Sequence, residues 1–193
     1  QVVRQRLEGD LVGRALGDVQ VRRHAVVQHV DGQPRALERL SDTFGQLQMV
    51  FDQGLYDPAN EPDIAYPYLF SYFQGEEWRT QREVRRLLDR YFTTAPDGIP
   101  GNDDTGTMSA WAVFSMMGLY PDCPGEPYYT LTSPVFDKVT VTLDPKYYPA
   151  GELVIETERS GAGDVYIGSM TLGGRPLKKY RISHGELVGG GRL

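Results

Sequence analysis

Sulfur chemistry has little to work with in this chain. Its 193 residues include a single cysteine, Cys123, so an internal disulfide and a cysteine-based zinc site are both excluded, and without a matching histidine motif we read it as a structural thiol. Histidine is also scarce. His24, His29 and His184 are the full set, and their spacing fits no metal-ligand pattern, which argues against zinc and leaves surface or internally satisfied residues. Positive charge is not in excess: Lys+Arg 20 against Asp+Glu 26 gives a net charge of -6, and nothing electrostatic calls for a nucleic-acid partner. No apolar run approaches the roughly 20 residues of a membrane helix. A signal-peptide pattern is missing too, so the chain reads as soluble, with no membrane span, as a mature exported form would. Finally, aromatic residues are absent between Leu11 and Gln33, where Val, Arg, Gln and Gly dominate and no helical or strand period persists. Residues 1–33 therefore read as irregular. A frame-shifted translation of a once aromatic-rich segment accounts for residues 11 to about 33, and an alternative reading frame of the coding DNA should restore apolar, aromatic-rich sequence there.

What is present is an ordinary globular composition, 40% hydrophobic, enough for one or two cores. From Pro34 to Phe51, the residues Leu37, Leu40, Phe44, Leu47 and Phe51 recur at spacings of three and four, which predicts a helix with one buried stripe. Thr80-Gln81-Arg82-Glu83 is a capping-box pattern, predicting a second helix that buries Val84, Leu87, Leu88 and Tyr91 and leaves Arg82, Arg85, Arg86 and Arg90 to solvent. A third should run from Thr107 to Met117, burying Trp111 and Phe114, with Gly118 closing it and Pro121 beyond. The aromatic run YPYLFSYF, residues 66–73, reads as core rather than as a sugar platform. After Pro121 the pattern alternates. VTVTL (139–143), ELVIE (152–156), DVYIGSMTL (164–172) and KKYRIS (178–183) predict an antiparallel β-meander. The fold class expected is α+β, helical over 34–125 and strand-rich over 126–193, and the ending GGGRL, where a strand should be starting, suggests truncation.

Three acidic clusters lie beside turn residues: Glu8-Gly9-Asp10, Asn60-Glu61-Pro62-Asp63 and Asn102-Asp103-Asp104. Each of the last two has two readings. An acidic group before a helix caps its N-terminus. Alternatively, carboxylates and amides from separate turns face one cavity, where hard oxygen ligands suit Ca²⁺. Paired carboxylates on separate loops are also what glycoside hydrolysis needs, one as acid for the leaving oxygen and one as base for water.

The segments NEPDIAYPYLFSYF, EWRTQREVRRLLDRYF, PDGIPGNDDTGTMSAWAVFSMMGLYP and YTLTSPVFDKVTV, in that order, resemble the C-terminal half of the glycoside hydrolase family 92 catalytic domain, over about residues 34–193. The resemblance implies a calcium-dependent, inverting exo-α-mannosidase acting on mannose-rich glycans, secreted or in the periplasm or cell envelope. It implies a partial six-hairpin α/α barrel in residues 34–125, and an N-terminal β-sandwich that this chain lacks. Carried over by position, Asp104 matches the general base, and Asn102 stands where many members have a second, assisting aspartate. Asn60 and Glu61 match the calcium-binding segment, with Asp104 reaching the metal directly or through water. Glu8, in Glu8-Gly9-Asp10, is the candidate general acid, which would make residues 1–33 the remnant of the acid-bearing segment. A non-catalytic remnant with weak sugar binding, or a purely structural role, is the alternative, and the isolated chain is expected to be inactive or nearly so.

Overall fold

The computed structural model describes residues 34–161 and 163–193, with side chains from residue 42 onward. The chain divides after Leu55 into two compact units. In the first, helix α1 spans Pro34–Asp52, as the periodicity predicts, and of its apolar stripe Leu47 and Phe51 are buried.

The second unit, Tyr56–Leu193, opens with three short helical turns in succession: a 3₁₀ turn at Glu61–Ala65, α2 at Tyr66–Leu69 and a 3₁₀ turn at Phe70–Tyr72. Pro62 and Pro67 each fall at the start of a turn, where the missing N–H is no loss. Within this stretch Pro67, Tyr68 and Phe70 are buried, while Glu61, Pro62 and Tyr72 are exposed. Helix α3 spans Glu77–Tyr91. It begins a turn earlier than the capping-box pattern predicts, because Thr80 and Glu83 are not at its start but buried in its middle. Thr80 donates to the Tyr68 carbonyl at 3.4 Å, while Glu83 holds Arg82 at 2.7 Å and Arg86 at 3.4 Å. Nor is the arginine face wholly wet: Arg85 donates to the carbonyls of Ser133 and Pro134.

Helix α4, Thr107–Met117, falls where predicted. Gly118 ends it in the left-handed conformation, φ 84°, and a side chain there would also strike Thr132 and Pro134, 2.7 Å from a hypothetical Cβ. The chain therefore turns at once into β1, Leu119–Tyr120. Seven further strands follow: β2 (Tyr128–Leu131), β3 (Lys138–Thr142), β4 (Glu152–Glu156), β5 (Thr171–Leu172), β6 (Arg175–Pro176), β7 (Arg181–Ser183) and β8 (Gly191–Arg192). Short helix α5, His184–Val188, carries a Ser183/Glu186 capping box.

Mixed helix and sheet are present as expected, but the strands do not form a meander. They sort into β1-β2-β7, β3-β4-β8 and the hairpin β5-β6, with β4 and β8 parallel. Two of the predicted strands pair as neighbours, Val139 opposite Ile155. The 164–172 stretch is mostly irregular because its backbone finds a different partner: the N–H of Ile167 donates to buried Gln81 of α3 at 2.7 Å. Likewise β7 leaves its sequence neighbours and pairs with β2, Tyr129 opposite Ile182. Leu119, Leu131, Leu153, Ile155, Ile182 and Leu187 make the resulting core, and Phe114 and Met117 pack on it. That contact anchors α4, whose N-terminal end carries the Asn102–Asp104 turn.

Candidate active site

The two acidic turns are built differently. In the first, Asp57 Oδ1 accepts from the Ala59 N–H at 2.9 Å, and the Asn60 carbonyl takes the Asp63 N–H at 2.9 Å. Asn60 occupies the cap position of the 3₁₀ turn, yet its side chain makes no cap hydrogen bond. Asn60 and Glu61 are exposed and Asp63 is half-buried.

In the second turn the adjacent aspartates separate. Asp103 does the capping: its Oδ1 accepts from both the N–H and the hydroxyl of Ser109, each at 2.8 Å, and its carbonyl accepts from Gly106 and Met108. Asp104 points its chemistry elsewhere. Its backbone is left-handed, φ 49°, as is that of Thr105, φ 62°. For residues with a Cβ, and for a β-branched threonine above all, that region is strained, and such strain gathers at functional sites. Asp104 Oδ1 accepts from the Asn102 amide at 2.7 Å, so the Asn102 side chain orients this carboxylate and leaves its second oxygen clear of that bond.

Two contacts bring the turns side by side. Gly101, φ 68°, rests its backbone against Ala59, so closely that a Cβ at 101 would lie 2.7 Å from the Ala59 methyl. Further along, Trp111 Nε1 of α4 donates to the carbonyl of Ile64 at 2.9 Å. Trp111 is itself held by Phe92, stacked at 5.3 Å, and by the edge of Tyr68 at 6.3 Å.

Behind the Asn60–Asp63 turn stand tyrosines. Burial, then the charge of Asp63, raises the Tyr56 phenol well above its ordinary value. Tyr120 is pushed up to about 12 by burial, then by Asp122 and Glu61. It stacks on Tyr68 at 4.6 Å, and the Tyr68 hydroxyl bonds Ser115 at 2.7 Å. These phenols stay protonated at neutral pH, as neutral polar groups beside the carboxylates.

Asn60 thus follows Ala59 and Asn102 follows Gly101, the two residues in contact, while Glu8 and the whole 1–33 segment lie outside the described residues. Among the described residues, no group of three or more His, Cys, Asp or Glu side chains is placed to hold a metal. His184 is satisfied by Tyr129 and Tyr148, and Cys123 is a free, half-buried thiol. Sequence reasoning missed Gly101 and Trp111 as parts of the site. The glycine between Pro100 and Asn102 was a visible signal, whereas the Trp111 partner lies 47 residues away and carried none.

The α+β unit brings two acidic turns into backbone contact, Gly101 against Ala59. The chain belongs to glycosyl hydrolase family 92: the model of that family's catalytic domain matches residues 18–193, reaching upstream of the resemblance read from the sequence. It is similar, at 29% identity over 148 residues, 77% of this chain and 19% of the relative, to an uncharacterized secreted glycosidase of Arthroderma benhamiae. Among solved structures it resembles a family GH92 alpha-mannosidase of Bacteroides thetaiotaomicron, with TM-score 0.71 and 27% identity, over 83% of this chain and 21% of that one. A family GH92 inverting mannosidase from the same organism matches with TM-score 0.64 and 34% identity, over 82% and 20%. The chain therefore spans about a fifth of the length of these relatives. No described helix is long and apolar enough to cross a membrane.

Proposed function

We propose that this chain contributes the base and metal side of a calcium-dependent, inverting exo-α-mannosidase that releases mannose from mannose-rich glycans outside the cell or in its envelope. What supports the reading most is the seating of Gly101 on Ala59, a contact between the two acidic turns, in a family with mannosidases among its solved members. The helices of residues 34–125 belong, on this reading, to an α/α barrel.

Asp104 acts as general base. Its carboxylate, held through one oxygen by Asn102, takes a proton from a water as that water's oxygen forms a bond to the anomeric carbon. The glycosidic C–O bond breaks on the opposite face, and the leaving oxygen receives its proton from the general acid, for which Glu8 is the candidate. Attack opposite to departure inverts the configuration, with acid and base on the order of 6.5–9.5 Å apart. Asn60, Glu61 and Asp104 would hold Ca²⁺. Their amide and carboxylate oxygens are of the right kind, and with no larger acidic cluster among the described residues, carbonyls, waters and sugar hydroxyls would have to supply the remaining ligands. When bound, the ion supplies a Lewis-acid grip on neighbouring ring hydroxyls that favours a distorted sugar.

In a full-length protein that contains this chain, release of mannose from an aryl α-mannoside, abolished by a chelator and by Asp104→Asn, is the expected result. No turnover in a folded chain, together with calorimetric Ca²⁺ binding unaffected by Glu61→Gln and Asp104→Asn, would leave only a sugar-binding or structural role.

A further inference from the structure

One edge of β4 is only partly covered. Along a strand the backbone groups of successive residues point to alternate sides. The Thr157 N–H donates to the Asp137 carbonyl at 2.8 Å, towards β3, whereas the Glu156 N–H donates to the Leu193 carbonyl at 2.8 Å on the other side. That other side is where β8 lies parallel to β4. Leu193 carries the ladder one residue past β8, since its own N–H donates to the Val154 carbonyl at 2.9 Å. Glu158 is next along the same edge. It is exposed, and neither its N–H nor its carbonyl makes a hydrogen bond among the described residues.

A cavity of about 600 Å³ begins at this point. Ile155, Glu156 and Glu158 line it from β4, Met170 and Thr171 line it at β5, and Leu193 reaches into its wall. Strand β8 is flanked in the same way, by β4 on one side and on the other by Gly173, whose N–H donates to the Arg192 carbonyl at 3.0 Å. The cavity therefore lies in line with β8, bordered by residues next along both of its flanks. Its two arginines are already engaged, Arg192 by Glu156 at 2.6 Å and Arg159 by the carbonyls of Pro134 and Phe136. Ile155, Met170 and Leu193 belong to the apolar core of the strand region. Free backbone groups along a sheet edge, beside apolar side chains, are a template for one more strand.

We propose that this cavity is a strand-docking groove. It takes an extended segment of the same polypeptide in a full-length protein, laid parallel to β4 in line with β8, bonded to Glu158 and carrying an apolar side chain at every second residue. The chain spans about a fifth of the length of its solved relatives, so a protein of that length has ample polypeptide to supply the strand. A tethered strand also docks at a far higher effective concentration than a separate peptide. None of the acidic-turn residues lines the groove, and the proposal stands apart from the mannosidase reading.

Hydrogen exchange at the Glu158 amide tests it without any measurement of activity. In the 193-residue chain this amide should exchange freely, and in a full-length protein that contains the chain it should be protected about 10-fold or more, read by mass spectrometry on a peptide covering residues 156–160. Equal exchange in the two overturns the proposal, as does protection that appears only when a second protein is added. A second pair of variants asks whether the cover is a strand in this register. Appending Thr-Val-Thr-Val-Thr after Leu193 places the valines on the Leu193 face and should raise the melting temperature and protect Glu158. Appending Val-Thr-Val-Thr-Val turns the valines to the opposite face and should do neither; no difference between the two extensions overturns the proposal.

Discussion

Asp103 and Asp104 are sequence neighbours with opposite duties. The first is spent on the helix, with both hydrogen bonds from Ser109 ending on one of its oxygens. Asp103→Ala should therefore lower stability by about 1–2 kcal/mol, measured by urea unfolding. Asp104 contributes no side-chain bond to α4. Asp104→Asn should leave the unfolding midpoint nearly unchanged while, on the proposed function, removing catalysis and weakening Ca²⁺ binding. Thr105 next to it is a β-branched residue at φ 62°. A left-handed residue with a Cβ costs roughly 1–2 kcal/mol, against the roughly 0.5–1 kcal/mol that glycine loses in chain entropy. Thr105→Gly should accordingly stabilise the fold by up to about 1 kcal/mol. A marked loss of stability in that variant would show that the strained turn is supported by contacts of the threonine side chain itself.

At the scale of elements, two turns from separate helical segments are locked together. The lock has a steric part, Gly101 on Ala59, and a polar part, Trp111 on Ile64. Gly101→Ala meets both an unfavourable φ of 68° and a neighbour at 2.7 Å, and should cost about 1–3 kcal/mol. Ala59→Gly in the same chain should recover the steric share of that loss and leave the conformational share, a difference readable in urea titrations. Trp111→Phe leaves the Ile64 carbonyl without its donor and should cost about 1–3 kcal/mol. On the proposed function it also weakens Ca²⁺ binding without altering any ligand. Helices α1 and α4 were legible from apolar spacing and glycine stops, since those signals are local. The start of α3 was not, because Thr80 and Glu83 have the composition of a cap and the burial of a core. Only the surroundings distinguish the two.

For the molecule as a whole, buried Tyr68 and half-buried Tyr56 and Tyr120 set its alkaline limit. Folding raises the phenol of Tyr120 to about 12, and those of Tyr56 and Tyr68 further. The unfolded phenols ionise near pH 10, so above that the folded chain binds more protons than the unfolded one and stability falls as pH rises. The decline begins near pH 10, and the share contributed by Tyr120 is lost by about pH 12. Phenolate absorbance should appear together with unfolding, and Tyr120→Phe should flatten the decline; free titration of every tyrosine near pH 10 in a folded chain would contradict this. The sequence alone determined the class: which stretches are helical, that hard oxygen donors sit in turns at 60–63 and 102–104, and that ordered motifs resemble one hydrolase family. Those properties are written in short-range spacing and in residue chemistry. Tertiary structure decided which aspartate caps the helix, which strands pair, and that Gly101 lies on Ala59, because each depends on residues far apart in the chain competing for the same donor, edge or space.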